Sequence, residues 1–147
     1  MSEENVEVMR KVLERFRDLT PEETPQFAAE FWDPNADYYP AQKFPDAKPC
    51  HGQEEMAHYL ADYLGAWDRF EFEINRLIAV GADRVLSHVT VRADGRRSGL
   101  RLNDDFFQCV WLRNGRILRQ EDHLTLRSAI LGLGLEGESL EAAGLSE

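Results

Sequence analysis

Two short charged runs interrupt otherwise strand-like sequence, Asp104-Asp105 and Glu121-Asp122-His123. Between them lie Phe106, Phe107, Cys109, Val110, Trp111 and Leu112, apolar on both alternating faces, and then Asn114-Gly115. An Asn-Gly pair between two such runs signals a hairpin, because both central residues of a type I′ turn need positive φ. A hairpin sets the two acidic runs on adjacent antiparallel strands, with Asp105 and Asp122 near enough to interact. Two enclosed carboxylates compete to stay charged, so one pKa rises and that group becomes a general acid or base. The other reading leaves Asp104, Asp105 and Glu121 at a solvated rim, paired with Arg101 and Arg119. Both readings stand on the residues alone.

The chain that positions these groups has 147 residues, enough for one domain (1–147) with a sizeable core. Its 43% hydrophobic and 30% charged residues are an ordinary balance for a soluble protein. A formal net charge of −10 repels phosphate backbones, which argues against a nucleic-acid partner. No run approaches the roughly 18 uninterrupted apolar residues of a membrane span. The start, Met-Ser-Glu-Glu-Asn, lacks a basic region followed by an apolar one. No membrane association is therefore expected, and the cytoplasm is the expected location. Cys50 and Cys109 belong to no ligand-spaced cluster, and no three of the four histidines have ligand spacing. Neither a metal nor a cofactor is expected. Cys109, inside a strand, is expected to be buried, and Cys50, in a loop, to be exposed.

Periodicity supplies the elements. Glu3 to Leu19 repeats Val6, Met9, Val12, Leu13 and Phe16 at helical spacing. Thr20-Pro21-Glu22-Glu23 opens a second helix that carries Phe27, Ala28, Phe31 and Trp32 and ends at Asp33-Pro34. Ala36 to Tyr39 reads as a short strand, and residues 40–51 as a proline-restricted loop. Gly52-Gln53-Glu54-Glu55 starts a third helix, whose apolar face runs from Met56 through Tyr59, Leu60 and Tyr63 to Trp67. From Phe70 the period becomes two, which predicts a strand to about Val80 and another over Arg84 to Arg92. The hairpin follows, then a helical tail over 128–147 interrupted by Gly132, Gly134 and Gly137. The fold class is α+β: a cone-shaped, curved antiparallel sheet, with the three N-terminal helices over its concave face and a pocket at its mouth.

Several landmarks fall in a familiar order. They are Phe31-Trp32-Asp33-Pro34-Asn35-Ala36-Asp37, His51-Gly52-Gln53-Glu54, Ala82-Asp83-Arg84-Val85, Val110 to Ile117 around Asn114-Gly115, and Ser139 to Leu145. In this order the sequence resembles the nuclear transport factor 2-like superfamily, and within it the SnoaL-like, polyketide-cyclase-type domains. The segment of about 128–137 looks additional. That fold hosts isomerases, cyclases, dehydratases, epoxide hydrolases and binding modules, so it does not choose the function.

The resemblance implies what each branch would find here. The base of ketosteroid isomerases falls on Tyr39, their oxyanion-hole acid near Phe107 and their helix-one tyrosine near Phe16, so that enolisation is not expected. The last-strand acid of limonene-type epoxide hydrolases falls on Asp122, but their Arg-x-Asp becomes Thr90-Val91-Arg92. The SnoaL-type acid falls near Thr125.

The resemblance also implies which strand residues face the pocket: His88, Thr90 and Arg92; Asn103, Asp105 and Phe107; Gln120, Asp122 and Leu124. Tyr39 and Trp32 would close its mouth, and Phe16 and Trp67 would come from helices. Asp122, Asp105 and His88 are then the candidate catalytic residues. Arg92, Tyr39, Trp32, Phe16, Trp67, Asn103, Phe107, Gln120 and Leu124 are candidates for binding. Val85, Val89, Val91, Phe106 and Val110 would line the outer sheet face, where a second copy of the chain would cover them. Two functions fit. One is a cofactor-free acid–base enzyme of the cyclase, isomerase or epoxide-hydrolase type, acting on a small apolar substrate. The other is a non-catalytic domain that binds such a molecule or dimerises. Asp105 and Asp122 within hydrogen-bond range inside a closed pocket would favour the enzyme.

Overall fold

The computed structural model describes residues 2–41, 48–95, 99 and 101–134. Pro45, Ser98 and the family-like ending from Ser139 to Leu145 lie outside the described residues. The described elements are α1 (Ser2–Arg17), a single 3-10 turn (Pro21–Glu23), α2 (Thr24–Phe31), β1 (Trp32–Tyr39), β2 (Cys50–His51), α3 (Gly52–Gly65), β3 (Trp67–Val80), β4 (Arg84–Gly95), β5 (Arg101–Arg113), β6 (Arg116–His123) and α4 (Leu126–Gly132).

The strands form one sheet in the order β2-β1-β6-β5-β4-β3. β3 to β6 are a chain of antiparallel neighbours, as their period-two patterns require. β1 adds to the far side of β6 in the parallel sense, pairing Tyr38 with Gln120. The β5–β6 turn has Asn114 at φ 53° and Gly115 at φ 76°, as a type I′ turn demands. Thr20 donates from both its backbone N–H and its hydroxyl to the Glu23 carboxylate, which fixes the turn before α2. Gly52 starts α3 at φ 83°, a conformation that side chains strain.

Helices α1 to α3 lie on one face of the sheet. Met9, Val12 and Leu13 of α1, Phe27 and Phe31 of α2, and Met56 and Leu60 of α3 pack there against Phe72, Val85, Val89, Val91, Phe106 and Val110. α4 lies on the other face, where Ala129 and Leu133 pack on Val80, Leu86 and Cys109. The covered strands therefore bury both sets of alternating side chains at this end, as the run around Cys109 foreshadowed.

Several expectations need correction. Trp67 is not on the helix face; it begins β3. β1 starts four residues earlier than expected, at Trp32. Cys50 is buried, on β2. Val85, Val89, Val91, Phe106 and Val110 lie under the helices and not on the outer face, because the longest apolar set takes the most covered side. The motive for a homodimer through those residues is thereby removed.

Candidate functional site

Between α1, α2, α3 and the sheet is a cavity of about 90 Å³. Its body is apolar: Val12, Leu13, Phe16, Phe27, Met56, Leu60, Phe72, Val89, Val91 and Phe106. Phe16 meets Phe70 and Phe72 edge-on, with centroids 5.7 and 5.6 Å apart, so the helix side is a wall of rings. At its β1–β6 end the lining turns polar, with Tyr38, Tyr59, Tyr63, Gln108, Gln120 and Asp122.

Strand geometry explains that grouping. Gln120 and Asp122 are two apart on β6 and point to the same face. Tyr38 is level with Gln120 on β1, and Gln108 is level with Asp122 on β5. Three strands thus deliver four polar side chains to one spot. The Tyr38 hydroxyl donates to Asp122 Oδ2, and Gln120 Nε2 donates to Asp122 Oδ1 at 2.9 Å. The Gln108 side chain also hydrogen-bonds this carboxyl. Tyr59 in turn hydrogen-bonds to Tyr38. Its ring lies 5.3 Å from that of Tyr38 and stacks on Tyr63 at 6.2 Å.

Burial raises the Asp122 pKa above the ordinary carboxylate range, and the hydrogen bonds from Tyr38, Gln120 and Gln108 and the nearby His123 pull the other way. Burial, then the charge of Asp122, drives the Tyr38 phenol well above its usual value. The same two causes push Tyr59 up to about 12, and burial, then Tyr59 and Asp122, raise Tyr63. All three phenols are therefore protonated donors at neutral pH. Two polar atoms of the lining have no hydrogen-bond partner, Gln108 Oε1 and Trp32 Nε1.

Of the residues expected at the site, the structure brings Asp122, Gln120, Phe16 and Trp32 to the cavity. It does not bring the others. On β4 and β5 the alternation runs opposite to the expected one, and a slip of one residue turns every side chain to the other face. Asp105 accepts from Thr90 Oγ1 at 2.6 Å on the outer face, and His88 Nε2 lies 3.7 Å from the same carboxylate. His88 stacks on Phe107 at 4.5 Å. Arg92 lies 3.7 Å from Glu73 and does not line the cavity. Asn103 and Leu124 join Thr90, Arg92 and Phe107 around a shallow outer groove. Tyr39 also faces outward, beneath the Arg119 guanidinium at 4.5 Å. Trp67 is buried behind the cavity against Tyr63, at 6.0 Å. Asp105 and Asp122 therefore form no dyad.

Tyr38, Gln108, Tyr59 and Tyr63 were missed. Gln108 had a visible signal, since it is the lone polar residue between Phe106 and Leu112 on a strand covered on both faces. Tyr38 had none, because only the β1–β6 register distinguishes it from Tyr39. No group of three or more His, Cys, Asp or Glu side chains able to hold a metal occurs among the described residues. No helix among them is long and apolar enough to cross a membrane.

Residues 12–120 match the SnoaL-like domain family. No curated protein is similar in sequence. Among solved structures, the fold is similar to that of a putative SnoaL-like polyketide cyclase from Jannaschia, at 14% identity over 88% of this chain and 90% of the other, with a TM-score of 0.69. An LEH-like epoxide hydrolase of M. tuberculosis matches at 17% identity over 97% and 98%, with a TM-score of 0.64. A hypothetical protein of Catenulispora acidiphila with a ketosteroid isomerase-like fold, in complex with trimethylamine, matches at 14% over 90% and 95%, with a TM-score of 0.67. At these identities the likeness is one of fold.

Proposed function

Taking as premise that the chain belongs to the SnoaL-like domain family, we propose that it binds a small molecule in the cavity under its helices, with Asp122 as the polar anchor. The observation that carries this reading is the Asp122 carboxyl, held by Tyr38, Gln120 and Gln108 at the end of a cavity otherwise lined by rings and aliphatic groups. An apolar body with a few convergent polar groups is what small-molecule sites have in common. A carboxyl taken out of water without a cation beside it costs stability, and a ligand that engages it offsets that cost. The trimethylamine complex of a protein with the same fold supports a small occupant.

The separation of Asp105 from Asp122 favours binding without turnover. A second reading, acid–base catalysis by Asp122 alone, is favoured by its raised pKa. The two part on one experiment. Cyclopentanone in deuterated buffer should bind and shift the cavity resonances without enhanced α-proton exchange. Exchange above the buffer rate that disappears in Asp122→Asn would replace the binding reading with the catalytic one.

A further inference from the structure

The polar end of the cavity is not chemically neutral in what it asks of a ligand. Among the described residues that line it, Asp122 is the only carboxylate and none is a lysine, arginine or histidine; His123 stands near Asp122 but outside the lining. Every bond Asp122 accepts comes from a neutral donor: one phenol and two carboxamides. These orient the charge but do not cancel it. A carboxylate has about four lone-pair positions, so three donors leave about one open. Beside it, Gln108 Oε1 is buried and has no partner. Both open positions are acceptors. The adjacent wall offers the rings of Trp32, Tyr38 and Tyr59, with Trp32 edge-on to Tyr38 at 6.0 Å. Aromatic faces within about 6 Å attract a cation through the ring quadrupole.

On this basis, which rests on the binding role proposed for the cavity, we infer that its ligand carries a protonated amine whose N–H groups donate to Asp122 and Gln108 Oε1. A carboxylate or phosphate ligand would meet the negative charge of Asp122 and find no counter-ion. A neutral alcohol would fill one acceptor position and leave the charge uncompensated. An ammonium ion fills both positions and cancels the charge, and its substituents lie against rings. Size narrows the class further. A cavity of roughly 150 Å³ takes benzene, so about 90 Å³ limits the buried part of the ligand to one compact apolar group of about that bulk or less, such as tert-butyl. Trp32 Nε1, the unpaired donor of the wall, is the place for an acceptor elsewhere on the same ligand.

Three compounds of one shape test this on the whole chain at neutral pH: tert-butylamine, tert-butanol and pivalate, titrated while the amide spectrum is followed. The amine should bind at least about tenfold more tightly than the alcohol, and pivalate should not bind. The preference should vanish in Asp122→Asn and survive in Asp105→Asn, which removes an outer-face carboxylate of the same charge. Alcohol binding as tight as amine binding in the parent would overturn the inference and leave the cavity role standing. So would a preference that persists in Asp122→Asn, since it would report only the acidic surface. If none of the three binds, both the inference and the cavity role fall.

Discussion

The Tyr38 hydroxyl donates to the Asp122 carboxylate across the parallel β1–β6 pair, two residues beyond Gln120, with which Tyr38 is in register. This bond ties the first strand to the last and aims the buried acid. Removing it by Tyr38→Phe should cost about 1.5–3 kcal/mol, the range for a hydrogen bond to a charged group. In an Asp122→Asn background the same change should cost less, about 1 kcal/mol, because the acceptor is neutral. Equal costs in both backgrounds, measured by denaturant unfolding, would mean that the charge of Asp122 adds nothing to the bond.

Asp122→Asn by itself should leave stability at neutral pH equal to the parent or higher by about 1 kcal/mol, because it removes a charge whose burial outweighs the hydrogen bonds and the nearby His123 that favour it. The sign of the pH dependence follows from the raised folded-state pKa. A carboxyl of this kind contributes its stability below the unfolded value of about 3.9, and that contribution is lost as pH rises through the folded value. The groups facing it are Tyr38, Tyr59 and Tyr63, with His123 and Cys109 close behind, and the tyrosines keep their protons over this range. The melting temperature of the variant minus that of the parent should therefore grow between pH 4 and 7. A difference that shrinks would show Asp122 to be a stabilising anion.

The two thiols should behave alike toward reagents and differently toward substitution. Burial pushes Cys109 up to about 12 and Cys50 up to about 11, so neither should react readily with iodoacetamide at neutral pH in the folded state. Cys109 donates to the Ala129 carbonyl at 3.2 Å. Serine inherits that acceptor, so Cys109→Ser should cost about 1 kcal/mol and Cys109→Ala more, about 1–2 kcal/mol. A larger loss for serine than for alanine would mean that the carbonyl is out of reach.

Gly132 permits the closest approach of α4 to the sheet. A Cβ there would lie 2.8 Å from both Glu121 Oε1 and His123 Nε2. Both side chains are held by their other polar atoms: Arg119 grips Glu121 Oε2 at 2.6 and 2.9 Å, and His123 Nδ1 meets Ser128 Oγ at 2.7 Å. Gly132→Ala should thus cost about 1–2 kcal/mol by overpacking, with loss of amide protection confined to α4. No change in either quantity would place α4 farther from β6.

The elements were largely legible because periodicity and turn chemistry are local. Asn114-Gly115, Thr20-Pro21 and the alternation from Phe70 each carry their own geometric requirement. What sequence could not supply was which of two alternating sets faced the helices on β4 and β5. Val85, Val89 and Val91 mark the covered face by hydrophobicity, yet the positional likeness to relatives set His88, Thr90 and Arg92 inward in their place. On β6 the alternation was correctly phased, which brought Asp122 and Gln120 to the cavity. Beyond Gln120 on its own strand, the partners of Asp122 come from β1 and β5, with Tyr59 of α3 joined through Tyr38, and such long-range pairing leaves no local mark.

Where a small molecule lands is tested most directly by a map of backbone amide shifts read during titration with tert-butylamine. The largest changes should fall on Tyr38, Tyr59, Gln108, Gln120 and Asp122. Changes centred instead on Thr90, Arg92, Asp105 and Phe107 of the outer groove, with the cavity residues unmoved, would contradict the cavity role.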